Sequence, residues 1–384
     1  MADWVGFRQS LEDSAMFPST CLRHALNSCS SGADRAPGSA APPRLGRLLA
    51  LFGLLAFAPA ASTAEVAWGL AHYLPERHFF AAQWLPEWVQ SIEAASEGRI
   101  SITIHPNNEL LRLGDIAPGV REGRVEMGFG PAPDSAALAV LGLPFVADSA
   151  AHGTRIAMTL LQAGHLDEDL AGLHVALLQT NAPSLIHSRA RAVRVPADLQ
   201  GMRMRGATPG IRELLGALGA IPVEGFLAPQ VYAALRDGHV DGTVFPYEAM
   251  GVFRLAEQLD YHTEVFLFVS ALGLFINADA LAALPEDLRL IVQRHSGLDI
   301  ALSAARAWDD EEARGRALAR IEGNQVLIPE AGELAAWREA AGAYTQARLA
   351  ALGDRSDDPQ QLHALVLTLA EASSSPDTGH QKQQ

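Results

Sequence analysis

The chain is 384 residues long, 49% hydrophobic and 19% charged, and its 29 Lys+Arg against 44 Asp+Glu give a net charge of −15. At about 100–200 residues per domain this is a two-domain globular chain, and disordered or fibrous classes are excluded. Lys382 is the single lysine, so the folded part has none for a Schiff base or a P-loop, and an acidic chain with no basic cluster argues against nucleic acid as a partner.

Residues 1–43 are rich in Ser, Ala, Pro and Gly and show no sustained apolar period. Arg44 and Arg47 then precede an apolar run from Leu48 to Phe57 and a small-residue stretch from Ala58 to Ala64. A basic start, an apolar segment of about 7–15 residues and a small-x-small end make a secretory signal peptide. A spanning helix would need ~20 apolar residues. Residues 1–64 are therefore expected to be an N-terminal extension and signal peptide, cleaved near Ala64 with Ala60 as the alternative, and the mature product is expected to be exported. Both cysteines, Cys21 and Cys29, precede the cut, so no disulfide, thiolate nucleophile or cysteine metal ligand is expected.

Val66–Leu70 reads as a strand. Glu76–Ala95 follows as a helix with Phe79, Phe80, Trp84, Trp88 and Ile92 at helical spacing. Gly98 stops it, and Arg99–Ile104 alternates as a strand does. Strand, helix, strand opens an α/β unit, and Val125–Phe129 is the next strand. Arg121–Gly128 resembles Arg236–Gly242: in each a helix ends at a glycine, Gly123 or Gly238, suited to a left-handed cap, and a short turn feeds a strand. Two copies about 115 positions apart imply two lobes of related design.

Between and after them, Leu173–Leu178 and Met202–Arg205 read as strands, and Pro209–Leu218 as a helix stopped by Gly219. Val231–Leu235 belongs to another helix, Thr243–Phe245 is a strand stopped by Pro246, and Phe266–Asn277 carries at least one buried strand. Pro285–Glu322 is the longest helical candidate. If continuous it runs ~57 Å at ~1.5 Å per residue, long enough to lie across both lobes, with Gly297 and Gly315 as bending points. Residues 331–371 add helices, and 372–384 form a polar tail expected to be disordered.

No His-Glu-x-x-His, Gly-x-Ser-x-Gly, Walker or helix-opening Gly-x-Gly-x-x-Gly motif occurs. His72 and His78 come nearest to metal spacing, but the expectation is no metal, no cofactor and no catalytic residue.

A set of segments in order carries a likeness instead: Glu97-Gly98-Arg99-Ile100, Leu143-Pro144-Phe145, Asp198-Leu199-Gln200-Gly201-Met202-Arg203-Met204-Arg205, Leu218–Val223, Val231–Gly238, Val240-Asp241-Gly242, Tyr261-His262-Thr263 and Leu284–Leu288. With them the mature chain resembles the solute-binding proteins of tripartite ATP-independent periplasmic (TRAP) transporters. The resemblance implies an α/β, two-lobed periplasmic-binding-protein-like fold with hinge strands and a long helix spanning both lobes. It implies lobe I over 65–182 with a return over 271–313, and lobe II over 183–270 and 314–371. It further implies a monomer that closes over a small organic acid and delivers it to the membrane permease subunits. Other readings are a binding protein of another importer class, a ligand-sensing partner of a receptor, or an exported enzyme on the same fold.

Alternation places Arg203 and Arg205 on one strand face and Met202 and Met204 on the other. Arg205 ends its strand, at the edge where α/β sheets place ligands, and by the resemblance it is the carboxylate-binding arginine. Phe245-Pro246-Tyr247-Glu248 stands where a subgroup has Pro-Trp-Glu, which implies one arginine against an aromatic wall and a monocarboxylate, with aromatic or branched 2-oxo and 2-hydroxy acids first. The expected substrate-binding set is Arg205, Tyr247, Phe245, Phe226, Asn181, Tyr73 and Glu248. Ala182–Ser184, where some members carry a second arginine, has none.

Overall fold

The computed structural model describes residues 64–353 and 358–373. The expected signal peptide up to Thr63 and the tail from residue 374 lie outside them. In chain order the strands are β1 (Val66–His72), β2 (Ile100–His105), β3 (Met127–Pro131), β4 (Leu173–Thr180), β5 (Ser184–Ser188), β6 (Arg203–Arg205), β7 (Ile221–Val223), β8 (Gly242–Phe245), β9 (Tyr261–Phe268), β10 (Ala271–Asn277) and β11 (Gln325–Leu327).

They form two sheets on one plan. The first runs β2-β1-β3-β10-β4, with β2, β1 and β3 parallel and β10 antiparallel to both β3 and β4. The second runs β7-β6-β8-β5-β9, with β7, β6 and β8 parallel and β5 antiparallel to both β8 and β9, and β11 added beyond β9. The repeated glycine segments sit at equivalent places in this plan. Gly123 and Gly238 have φ of 70° and 71°. In each, the glycine N–H reaches back three residues and the next N–H five, to Val120 and Gly119 or to Leu235 and Ala234, which is a Schellman cap.

The chain crosses between sheets from β4 to β5, from β9 to β10 and, through the helix Leu298–Ile321, from β10 to β11; the first two crossings lie side by side. Asn181 ties these two together: its N–H donates to Ser270 O at 3.1 Å and its Oδ1 accepts from Ser270 N at 2.8 Å.

The expected helix 285–322 is two helices, Glu286–Arg294 and Leu298–Ile321. Gly297 separates them with φ 103° and gives its N–H to Ala176 O of β4, so the bending glycine is a full break. The second, longer helix does join the lobes. Ala301, Ala304, Ala305 and Trp308 pack into the core of the first sheet, and Ala319 into that of the second. Gly315 permits the closest approach, because a Cβ there would lie 2.0 Å from Tyr247 O.

The second sheet has a core on each face. Met202, Met204, Ile186 and Val244 pack on one side with Trp337 of the helix Ala331–Ala351; Leu185, Leu235, Tyr247 and Met250 pack on the other. The expectation that 314–371 stays in the second lobe needs correction. Leu349, Leu352, Val366 and Ala370 fill the first core, and the last helix, Pro359–Ser373, packs on Ala136–Leu141 and Ala150–Gln162. Its Ala370 carbonyl lies 2.9 Å from His152 Nε2. Among the described residues no helix is long and apolar enough to cross a membrane.

Candidate functional site at the lobe junction

Two arginines on one short strand have opposite environments. Arg203 pairs with Asp241 through Nε at 3.1 Å and Nη2 at 2.7 Å, half-exposed. That pair comes from the Val-Asp-Gly turn and holds β6 to the start of β8. Arg205, one pleat further, is only 4% exposed and has no acidic partner. Its Nε donates to Phe226 O at 3.1 Å, and its guanidinium carbon lies 4.6 Å from the Phe245 ring centroid. Burial lowers its pKa to about 10, so it remains a cation at neutral pH. One edge is fixed by a carbonyl and one face by a ring, which leaves both terminal nitrogens for a planar anion.

Strand register extends this into a row. Arg205 is paired with Thr243, Thr243 with His187, and His187 with His262, all on one face of the second sheet. Thr243 Oγ1 is buried without a hydrogen-bond partner. His187 and His262 meet through their Nδ1 atoms at 2.7 Å, and His187 Nε2 reaches Phe245 O at 2.8 Å. A carbonyl only accepts, so His187 carries its proton on Nε2 and His262 donates from Nδ1. Burial holds His187 well below the usual histidine range and lowers His262 to about 4, so both rings are neutral. Nothing in sequence periodicity pointed to this pair, which lies on two strands 75 positions apart.

The seven residues expected at the site divide into groups. Arg205, Phe245 and Phe226 come together. Phe245 also touches Phe253 at 6.0 Å, and Phe226 stacks on His239 at 5.9 Å. Tyr247 lies in the second-lobe core beside the histidine pair, its hydroxyl 3.3 Å from Glu264, which Arg316 also binds. Asn181 holds the strand crossings. Tyr73 and Glu248 lie at the junction of the lobes.

At that junction Tyr73 stacks on Phe129 at 6.5 Å, and its pKa is raised, first by burial and then by Glu248. His78 Nδ1 accepts from Phe80 N at 3.2 Å, which puts the imidazole proton on Nε2, facing Glu248 Oε2 at 3.7 Å. Glu248 is 7% exposed, and burial, reinforced by Glu311, raises its pKa to about 8. Burial lowers both His72 and His78 to about 4. Trp308 of the long helix packs on His78 at 5.3 Å and on Phe79 at 5.0 Å.

That helix also caps a helix in each lobe. Asp309 accepts from Ala150 N and Ala151 N at 2.7 and 3.0 Å. Glu312, one turn on, accepts from Glu248 N at 3.1 Å. No sequence motif pointed to these caps, because their donors lie far away in the chain.

Two hollows flank the junction, each lined from both lobes. One, of about 360 Å³, has Arg77 and Phe79 facing Pro229, Phe253 and Arg254, with Glu311 beside them. The other, of about 400 Å³, lies among Pro133–Ser135, Thr208–Ile211, Phe268–Ala271 and Tyr344. Neither hollow is lined by Arg205, whose partners, Phe226 and Phe245, belong to the second lobe; a buried cation against aromatic rings has the chemistry to hold an anion.

Comparison with known proteins agrees with this chemistry. Residues 70–351 match the family model of bacterial extracellular solute-binding proteins, family 7. A marine metagenome TRAP solute-binding protein specific for aromatic acid ligands, solved with 3-hydroxybenzoate, is 27% identical with a TM-score of 0.75, over 82% of this chain and 100% of that one. A TRAP solute-binding protein from Rhodoferax ferrireducens, solved with copurified benzoate, is 25% identical with a TM-score of 0.73, over 80% of this chain and 98% of that one. A curated solute-binding protein from Roseobacter denitrificans is 26% identical over 212 residues, covering 52% of this chain and 62% of the relative's length.

Proposed function

The chain belongs to the bacterial extracellular solute-binding proteins of family 7, and from that premise we propose that it is the periplasmic receptor of a TRAP transporter, capturing a small organic acid and handing it to the membrane permease subunits. The observation that carries this reading is Arg205, a buried guanidinium with no acidic partner, one edge fixed by Phe226 O and its face covered by Phe245. The ligand carboxylate takes the two free terminal nitrogens as a bidentate, charge-assisted pair. Phe245 and Phe226 supply an aromatic wall, and Tyr73, Glu248, Asn181 and Tyr247 complete or brace the closed cleft. Among the described residues Arg205 is the one buried arginine, which favours a monocarboxylate. Two solved relatives that bind aromatic acids make benzoate-like acids the first class to test. The protein acts as a monomer, its lobes close by hinge motion, and the ligand leaves unchanged, so the role is capture rather than catalysis.

Mass spectrometry of small molecules released from the purified protein tests the reading, followed by calorimetric titration with benzoate and 3-hydroxybenzoate. An organic acid is expected. Release of a cationic or sugar-like ligand without a carboxylate, or chemical conversion of the bound acid, would overturn it.

A further inference from the structure

The junction of the lobes contains an acid that Arg205 chemistry leaves unused. Glu248 comes from the second lobe, at the start of the short helix Glu248–Val252. It is covered from the first lobe by His78, with Tyr73 and His72 behind, and from the long helix by Glu311 and Glu312. Every titratable group in that shell is a neutral ring or another acid. Glu248 Oε2 is buried without a hydrogen-bond partner, 3.7 Å from the His78 Nε2–H, and Trp308 Nε1 and His72 Nδ1 are buried and unpartnered nearby.

Glu248 is enclosed by uncharged rings, by Glu312, whose own pKa burial raises to about 8, and by Glu311, whose charge is already paired with Arg314 at 2.7 Å, so no partner holds it ionised and it is buried as the neutral acid. Its cover is interlobar: His78 belongs to the first lobe and Glu248 to the second. We propose that closing the lobes over the ligand takes up one proton at Glu248, so that capture of the organic anion is coupled to capture of a proton. The inference rests on the hinge-closing receptor reading, but it concerns a different group from the carboxylate-binding arginine.

The direction follows from linkage. With the lobes apart, Glu248 ionises near the ordinary value of 4.5; closed, burial holds it near 8. The closed state's advantage from the neutral acid is complete below pH 4.5 and is lost as pH rises through 8. Affinity should fall about tenfold per pH unit across most of that window, and close to one proton should enter per ligand at pH 7.

Two measurements test this. The first is urea unfolding of wild type and Glu248→Gln in saturating benzoate from pH 4.5 to 9, in which the closed wild type should lose ground to the variant as pH rises toward 8. Parallel curves would mean that Glu248 ionises freely in the closed state, which overturns the proposal. The second is calorimetric titration with benzoate at pH 7 in phosphate and in Tris, whose different ionisation heats reveal the protons taken up. Wild type should take up close to one proton more per ligand than Glu248→Gln, which keeps only Glu312; equal uptake in both, or none in wild type, overturns the coupling. Absence of any binding heat would count against the aromatic-acid reading instead. Scattering radii of both ligand-free proteins at pH 5 and pH 9 then decide: a radius that grows with pH in wild type but not in Glu248→Gln supports the coupling, and identical radii behaviour overturns it.

Discussion

Replacing Arg205 separates a binding arginine from a structural one, because the two roles change stability in opposite directions. In the ligand-free fold the guanidinium is buried, has one carbonyl partner, and desolvation lowers its pKa to about 10. A depression of that size corresponds to a destabilisation on the order of 3 kcal/mol, the cost of keeping an uncompensated cation out of water. Arg205→Met keeps much of the side-chain volume against Phe245 and removes the charge. Its ligand-free melting temperature should match or exceed wild type. Binding should respond the other way, since removing a buried charge partner costs ~2–5 kcal/mol, about 30-fold to several thousand-fold in Kd. Arg205→Lys should recover only part, because an ammonium cannot form the two parallel bonds. Differential scanning calorimetry with and without the released ligand reads both quantities. A variant with a lower ligand-free melting temperature and near-normal affinity would refute the argument and make Arg205 a packing residue.

Arg203→Ala should leave ligand affinity unchanged, since its guanidinium is occupied by half-exposed Asp241; titration with the same ligand checks this, and a large loss would mean the two arginines act together. Gly315→Ala should destabilise by about 1–3 kcal/mol, the usual range for overpacking, because its Cβ would strike Tyr247 O at 2.0 Å; an unchanged urea midpoint would show that the long helix shifts freely there. His262→Gln removes a ring whose pKa burial lowers to about 4. The unfolded imidazole takes a proton below 6.5 that the buried one refuses, so wild type should lose stability relative to this variant as pH falls from 6.5 toward 4, and parallel unfolding curves over that range would contradict the neutral pair.

Much of the fold was legible because its signals are local. Alternation in Arg99–Ile104, the paired glycines 123 and 238, and the Arg203–Arg205 register all lie within a few residues of what they specify. The same locality explains the errors. Helical periodicity runs through Gly297, but the break depends on a carbonyl of β4 more than a hundred positions earlier. The last helix is amphipathic in either lobe, and only the space beside Ala150–Gln162 decides where it packs. Arg205 was singled out because its strand ends at a known kind of sheet edge and because the resemblance puts the carboxylate-binding arginine there. Tyr247 looks, from its neighbours Phe245 and Glu248, like part of the same wall, yet its ring turns toward a histidine pair assembled by two distant strands.

The interleaving of β10 has a consequence for how the chain reaches its native state. β10 lies between β3 and β4 and comes from residues 271–277, after the whole of β5–β9. A stretch ending at residue 182 therefore holds a three-stranded parallel ribbon and a solitary β4 with no ladder partner. The first sheet becomes continuous only when a segment some 140 positions beyond β3 threads between them, a pairing with high loop-closure entropy and slow formation. The strands β5 to β9 are contiguous in the chain, but the first sheet is not complete until residues 271–277 have joined it, so its assembly waits for most of the chain. Such a delay suits the proposed periplasmic receptor, which would cross a membrane as an extended thread before it acquires shape.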